Sequence, residues 1–137
     1  SAMERRGPAG PLVLGGRSMG GRVASMLAAD GFPCAGLLLL AYPLHPAGEP
    51  TRLRTAHLPR LQAPTLCVNG TRDRLCTRHL MEAAIEPLGD RWTMHWLEGA
   101  DHGFQVLRSS GRTEADVRVE IGAAVGSWLI GLEGGSG

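Results

Sequence analysis

Apolar runs separated by glycine- and proline-rich turns alternate along the chain with stretches of helical spacing. Residues 12–14 form the first apolar run, and residues 20–29 then carry apolar side chains at i, i+3 and i+4, which predicts a strand followed by a helix. Asp30-Gly31 marks the end of this helix. The apolar stripe of the helix consists of Val23, Met26 and Leu27.

The same alternation continues to the end of the chain. Since no hairpin signal separates the apolar runs, we predict an α/β fold, a three-layer sandwich with a parallel sheet of about four strands and right-handed crossovers. Nearly continuous apolar runs are typical of strands that are covered on both faces. The remaining predicted elements are strands at 35–41, 65–68 and 92–97, a short helix at 52–61 between prolines, and helices at 77–88 and from Thr113 onward.

The predicted domain spans residues 12–132. Residues 1–11 carry charge, glycine and proline without periodicity, and Ser1-Ala2 ahead of Met3 is typical of a cloning remnant, so we predict an unstructured lead there. Residues 133–137 are predicted to be a disordered tail. No apolar run approaches the roughly 20 residues of a membrane span, and no secretory pattern opens the chain. We therefore expect a cytoplasmic protein with no membrane partner.

Charge and composition exclude several classes of chemistry. The net charge of +1 gives no reason to expect nucleic acid as a partner. All 14 basic residues are arginine, so a P-loop lysine and a lysine Schiff base are both excluded. Arg17 stands where a dinucleotide loop needs its second glycine. The chain has three cysteines without C-x-x-C spacing, which indicates neither a disulfide framework nor a zinc site; they are Cys34, Cys67 and Cys76. We expect no metal and no cofactor.

One turn carries the strongest chemical signal. Residues 16–20 read Gly-Arg-Ser-Met-Gly and fit the G-x-S-x-G pattern, in which a strained strand-to-helix turn exposes the serine hydroxyl. Ser18 is therefore a candidate nucleophile, with a helix N-cap as the alternative. The backbone N–H of Met19, at the start of the helix, is the candidate donor to a transition-state oxyanion.

A serine nucleophile needs a base, and the base needs a carboxylate. Asp73 follows the third predicted strand and His102 follows the fourth, and in a parallel sheet these loops share one edge with Ser18. Asp101 is a rival acid, although neighbouring side chains in an extended loop tend to point apart. The alternatives are that Asp73 is a turn residue paired with an arginine and that His102 is a solvated loop residue.

Two further residues are candidates for binding substrate. Arg17 lies beside the nucleophile, where it either meets an anionic substrate group or forms a structural ion pair. His45 lies beyond the second strand, where it either borders the pocket or is a hydrogen-bonded loop histidine. The other histidines are weaker candidates: His95 is expected to face a helix layer or solvent, and His57 and His79 fall in helical segments without matched partners.

Four segments of the sequence resemble the α/β-hydrolase superfamily, in particular its dienelactone-hydrolase-like members and the testis-expressed-protein-30-like group. The segments are 15–20, 42–45, 69–73 and 99–104, and the resemblance runs from residue 12 to about residue 132. It implies that Ser18 is the nucleophile, Asp73 the acid and His102 the base, with Met19 supplying an oxyanion-hole amide. The implied activity is hydrolysis of a small ester, lactone or thioester, and no cofactor is implied.

The resemblance also implies that the four strands correspond to the last four of an eight-stranded sheet. The amino-terminal half of that fold, which supplies the second oxyanion donor, has no counterpart in this sequence. Since the first strand is then an open edge, we expect a homo-oligomer, a two-fold dimer that pairs the first strands. The alternatives are a weakly active or inactive module that self-associates or binds a partner, and a piece of a longer enzyme whose start lies upstream.

Overall fold

Four parallel strands form a single sheet in the order β1-β2-β3-β4 in the computed structural model, which describes residues 12–135. The strands start level with one another, since Val13 pairs with Gly36, Leu37 with Thr65, and Thr65 with Trp92. The strands are β1 Val13–Arg17, β2 Gly36–Leu40, β3 Thr65–Gly70 and β4 Trp92–Leu97. All their carboxyl ends therefore lie at one edge of the sheet, and the predicted fold class is confirmed.

Helices cover both faces of the sheet. They are α1 Met19–Ala29, α2 Arg78–Ile85 and α3 Glu114–Gly135, with single 3-10 segments at Leu58–Arg60, Glu86–Arg91 and Arg108–Ser110. Leu37, Leu39 and Cys67 pack on the side of α1 and α2, whereas Leu66 and Val68 pack on the side of α3. Alternate residues of the central strands thus pack into two separate cores, one on each face of the sheet.

Three element boundaries differ from the prediction. The helix predicted at 52–61 is a single 3-10 turn, Leu58–Arg60, because prolines at 59 and 64 leave no room for a longer one. Strand β3 continues through Asn69-Gly70, which the sequence indicated as a turn, and these residues pair with the end of β4. Helix α3 continues to Gly135, beyond the predicted domain end at 132. Residues 1–11 and 136–137 lie outside the described residues.

The apolar stripe of α1 faces outward. An amphipathic helix normally turns such a stripe toward the sheet, but Val23, Met26 and Leu27 are 53%, 40% and 48% exposed. The residues that α1 buries are small instead: Gly21, Ala24 and Ser25. The physical reason is the tight turn before α1, which brings the helix so close to β1 that a large side chain has no room between them.

Helix α3 begins with a reciprocal cap. The Asp116 backbone N–H donates to Thr113 Oγ1 at 3.1 Å, and the Thr113 backbone N–H donates to the Asp116 carboxylate at 2.9 Å. Hydrogen bonds to the carboxylate from the Thr113 backbone N–H, and secondly from the Thr113 side chain, hold the pKa of Asp116 below its usual value. Further along α3, Glu120 accepts a hydrogen bond from His95 at 2.6 Å, so His95 faces the helix layer, one of the two placements expected for it.

Among residues 12–135, no helix combines the length and apolarity needed to cross a membrane.

A buried Ser–His pair connects α1 to the segment before β3. His57 Nε2 lies 2.7 Å from Ser25 Oγ, and the Ser25 hydroxyl donates its proton to the Arg22 carbonyl at 2.7 Å. Since that proton is already used, His57 donates from Nε2 to Ser25 Oγ. Burial, with a smaller contribution from nearby arginines, lowers the pKa of His57 and so favours the neutral ring. The prediction that His57 lies in a helical segment without a partner is wrong.

The lowered pKa of His57 predicts acid-sensitive folding. Because the unfolded chain binds a proton at His57 more readily than the folded chain does, the free energy of unfolding should fall as pH drops below about 6.5. Replacing His57→Gln keeps a donor for Ser25 but removes the titration, so it should flatten the decrease between pH 8 and pH 5.5. Urea unfolding at each pH measures the slope. His79→Gln, at an exposed position, is the control, and an unchanged slope in His57→Gln would contradict the assignment.

Candidate active site

Ser18 sits on the sharp turn between β1 and α1 with a backbone φ of 52°. This left-handed conformation is uncommon for a residue with a side chain and is found where the surroundings enforce it. The Ser18 backbone N–H continues the sheet ladder by donating to the Leu40 carbonyl at 2.7 Å, while its carbonyl accepts the first helical bond from Arg22 at 3.1 Å. Ser18 is therefore held at both ends by regular structure, and its hydroxyl points away from both.

Close backbone packing enforces this turn. A Cβ at Gly16 would lie 2.4 Å from the backbone carbon of Gly20, and a Cβ at Gly21 would lie 2.8 Å from the Gly16 carbonyl oxygen. Neither contact can be relieved by rotating a side chain, because the opposing atoms belong to the backbone. A Cβ at Gly20 would meet nothing within 4 Å among the described residues. Of the two glycines in the G-x-S-x-G pattern, only Gly16 is required by packing.

The structure brings Ser18, His102 and Asp73 into one chain of hydrogen bonds. Ser18 Oγ lies 2.8 Å from His102 Nε2, and His102 Nδ1 lies 2.8 Å from Asp73 Oδ2. An ionised carboxylate only accepts, so the histidine proton sits on Nδ1 and Nε2 is free to accept the Ser18 hydroxyl proton. The Asp73 side chain is fully buried, whereas that of His102 is 30% exposed. The arrangement can remove a proton from Ser18 and keep the resulting imidazolium paired.

Buried donors hold the Asp73 carboxylate in place. Asp73 Oδ1 accepts from the Leu75 backbone N–H at 2.8 Å, and Oδ2 also accepts from Asn69 Nδ2 at 3.2 Å. Asn69 is fully buried and donates as well to the Tyr42 carbonyl at 3.1 Å. No role was predicted for Asn69, because the predicted strand ended at residue 68 and Asn-Gly is a common turn dipeptide. A polar side chain at the end of a strand buried on both faces was the signal available, since such a side chain needs a partner.

The loop that carries His102 is shaped by its neighbour Asp101. One Asp101 carboxylate oxygen accepts from the backbone N–H groups of Gly103 and Gln105, both at 2.9 Å. The Asp101 backbone N–H also donates to the Gln105 carbonyl at 2.9 Å. Asp101 thus folds the loop and is not the residue that binds the His102 ring, so the choice between the two acids is resolved in favour of Asp73 as the partner of His102.

The two loops that carry Asp73 and His102 are tied to each other. A Cβ at Gly70 would lie 2.1 Å from the Ala100 carbonyl oxygen, which shows how closely the backbones approach. That same oxygen accepts from the Arg72 N–H at 2.9 Å, and Thr71 Oγ1 accepts from the Gly99 N–H at 2.8 Å. These contacts fix the separation of the Asp73 and His102 loops independently of the hydrogen bond between the two side chains.

The two candidate substrate-binding residues differ in their placement. Arg17 is exposed beside Ser18, and its guanidinium lies 4.7 Å from the centre of the Phe104 ring, a cation–π contact. Within residues 12–135 it forms no ion pair. His45 is buried: its Nδ1 donates to the Pro46 carbonyl at 2.8 Å, and its Nε2 accepts from the Thr77 hydroxyl at 2.8 Å. The prediction that His45 borders the pocket is therefore corrected, since both ring nitrogens are occupied within the protein.

A cavity of about 980 Å³ lies at the opposite end of the sheet from Ser18. It opens at the amino ends of the strands, between Val13 of β1 and Trp128 of α3, and is lined mainly by apolar surface. Neither Ser18, Asp73 nor His102 lines it. Ligands of open α/β sheets bind at the carboxyl ends of the strands, so this cavity is not the substrate site of the Ser–His–Asp arrangement.

A family model of the alpha/beta hydrolase domain matches residues 1–129 of this chain. The chain belongs to the α/β-hydrolase family. The superfamily resemblance drawn from the sequence is thereby confirmed, while the narrower testis-expressed-protein-30-like group stays a prediction. The match includes residues 1–11, which the domain prediction left outside the fold.

Several solved structures are similar to this chain. A Thermus thermophilus protein shares 26% identity over 93% of this chain and 58% of its own length, with a TM-score of 0.61. A Xanthomonas campestris α/β serine hydrolase without a lid shares 24% identity over 93% of this chain and 52% of its own, with a TM-score of 0.63. An Agrobacterium tumefaciens protein of unknown function shares 18% identity over 95% of this chain and 56% of its own length, with a TM-score of 0.69. The α/β-hydrolase chain described here thus spans about half the length of these structures.

The packing of the nucleophile turn predicts opposite effects for its two glycines. Gly16→Ala should lower the free energy of unfolding by about 1–3 kcal/mol or more, because backbone atoms must move to admit the methyl group. Gly20→Ala should leave it unchanged or raise it by up to about 1 kcal/mol, because alanine favours the helix and meets open space. Urea unfolding of the two variants is the measurement. Equal losses in both would show that the turn is not packed in this way.

Proposed function

We propose that this α/β-hydrolase chain is a serine hydrolase that acts on a small ester, lactone or thioester through a Ser18, His102 and Asp73 triad. The observation that carries the proposal is the unbroken hydrogen-bond chain from Ser18 Oγ through the His102 ring to the buried Asp73 carboxylate. A serine hydroxyl is a weak nucleophile until an adjacent base removes its proton. The position of Ser18 at positive φ, where its hydroxyl is kept free of the backbone, supports the same assignment.

In the proposed reaction, Ser18 Oγ attacks the substrate carbonyl carbon while His102 Nε2 takes the hydroxyl proton. The carbonyl oxygen becomes an oxyanion, and we assign the Met19 backbone N–H, which as the first residue of α1 has no partner within the helix, as its donor. Collapse of the tetrahedral intermediate breaks the bond to the leaving group, which receives the proton from His102. A water molecule, deprotonated by His102, then attacks the acyl-enzyme, and release of the acid returns the proton to Ser18.

The acid and its surroundings have supporting roles in this proposal. Asp73 keeps the His102 proton on Nδ1 and stabilises the imidazolium that forms when Ser18 attacks. Asn69 is a positioning residue, since it touches Asp73 and not the reacting atoms. Arg17, exposed beside Ser18, is proposed to contact the substrate, with its orientation held by the Phe104 ring.

A second candidate function is that of an interaction module that self-associates. Strand β1 lies at the edge of the sheet, and such an edge offers unpaired N–H and C=O groups to another chain. Beside it, the exposed α1 stripe of Val23, Met26 and Leu27 presents contiguous apolar surface. We propose a two-fold dimer in which two β1 strands pair, which would extend the sheet and cover both stripes at once.

The triad proposal predicts that one serine carries the activity. The unsubstituted protein should release a burst of p-nitrophenol from p-nitrophenyl butyrate, stoichiometric with protein, and Ser18→Ala should remove the burst and lower turnover by at least about 1,000-fold. Ser25→Ala is the matched control, because Ser25 also bonds a histidine but should leave the burst intact. Labelling by a fluorophosphonate detects a reactive Ser18 even when turnover is slow. Equal activity and labelling in Ser18→Ala would refute the proposal.

The self-association proposal predicts twice the chain mass in light scattering at micromolar concentration. Val23→Glu combined with Met26→Glu should yield the monomer, because two charges would be buried on each stripe without partners. The control is Val119→Glu combined with Ile130→Glu, which adds the same charge to exposed apolar positions of α3 on the other face of the sheet. A monomeric unsubstituted protein, or equal effects of the two pairs, would count against this interface.

A further inference from the structure

A second concave region lies beside the nucleophile turn and contains three arginines. It measures about 510 Å³ and is formed by the first turn of α1 together with the long segment that follows β2. No role was predicted for it from the sequence, since it joins one residue of α1 to residues of the 46–54 segment. Its lining consists of Arg22, Pro46, Thr51, Arg52, Leu53 and Arg54.

Two of the three arginines have no acidic partner. Arg52 pairs with Glu49 at 3.0 Å, an exposed ion pair that is screened by solvent. Among residues 12–135, neither Arg22 nor Arg54 forms an ion pair with an Asp or Glu side chain. A guanidinium carries five N–H donors and no acceptor, so these two side chains bring unused donors and positive charge to the same wall of the pocket.

Arg22 is the more constrained of the two. Its Nε is buried and has no hydrogen-bond partner within the described part of the chain. Its positive charge acts on two neighbouring buried groups. It contributes to lowering the pKa of His57, and it opposes the rise in the pKa of the Tyr42 hydroxyl. Burial nevertheless raises the pKa of Tyr42 to about 12, so Tyr42 stays neutral and does not compensate Arg22. A buried donor without a partner is costly, and no other group of residues 12–135 offsets that cost.

Two lining residues connect the pocket to the neighbourhood of Ser18. The Arg22 backbone N–H donates to the Ser18 carbonyl at 3.1 Å, one helical turn from the nucleophile. Arg54 Nη1 lies 3.7 Å from Met19 Sδ and 3.5 Å from the Pro43 carbonyl oxygen, which holds the guanidinium over the residue that follows Ser18. One end of a small ester could therefore lie at Ser18 while its other end extends into the arginine pocket.

We propose that this pocket binds an anionic group of the substrate, a carboxylate or a phosphate, through Arg22 and Arg54, with Arg52 at the rim. Planar guanidinium groups bind the oxygen atoms of both anions with paired hydrogen bonds, and exclusion of water strengthens the contact. As a statement about substrate this rests on the proposed hydrolase function, and it selects esters that carry a negative charge at the end remote from the scissile bond. As a statement about binding it stands by itself.

Binding is tested first, without reference to activity. Calorimetric titration with glutarate and with inorganic phosphate should show saturable binding of at least one, and the identity of that one distinguishes the two anions. Arg22→Gln and Arg54→Gln should each weaken the binding by about tenfold or more, because each removes hydrogen bonds to a charged group. Arg118→Gln, at an exposed position on the other side of the sheet, is the charge-matched control. No saturable binding, or a loss confined to Arg17→Gln, would overturn the assignment.

Activity supplies the second test. The ratio of kcat/KM for p-nitrophenyl hemiglutarate to that for p-nitrophenyl valerate should exceed about ten and should fall at least tenfold in Arg54→Gln but not in Arg118→Gln. If neither ester is hydrolysed while glutarate or phosphate binds as described, the hydrolase proposal fails and the anion site stands. If both esters are hydrolysed equally and neither anion binds, the anion site fails and the hydrolase proposal stands.

Discussion

Backbone-on-backbone packing at the carboxyl ends of the strands is the constraint on which the rest of the site depends. At β1, the Gly16 backbone touches that of Gly20, which forces the turn that carries Ser18. At β3, the Gly70 backbone touches the carbonyl of Ala100, which joins the turn that carries Asp73 to the loop that carries His102. Glycine is needed at these contacts because no other residue lacks the Cβ that would separate the chains. The backbone contacts set the distances between the three segments that carry Ser18, Asp73 and His102, and the side-chain hydrogen bonds form across those distances.

The strands and the proximity of Ser18, Asp73 and His102 could be predicted from sequence for a shared reason. Apolar runs bounded by turns identified all four strands, and the parallel topology then placed every strand-following loop at one edge of the sheet. Ser18, Asp73 and His102 follow three different strands, so topology alone predicted their proximity. No knowledge of side-chain packing was needed for that step, which is why it could be made from one sequence.

Features that depend on packing between elements were missed. The outward stripe of α1 could not be predicted, because periodicity identifies an apolar face but does not say whether the sheet can accommodate large side chains there. Asn69 was overlooked because a local turn signal competed with its role in a buried strand. His45 was given a place at the pocket from its position after β2, whereas its ring turns inward to Thr77, 32 residues along the chain. Each miss concerns a contact between residues distant in sequence.

The backbone conformation of Ser18 carries a thermodynamic consequence. A φ of 52° in a residue with a side chain costs of the order of 1–3 kcal/mol, which the surrounding sheet and helix must offset. The same position would suit glycine without that strain, so the chain would fold more favourably if it gave up its hydroxyl. Folding stability and the presence of a hydroxyl at residue 18 thus make opposing demands on the turn. The residue that would relieve the backbone strain most fully, glycine, is also one that cannot carry a hydroxyl.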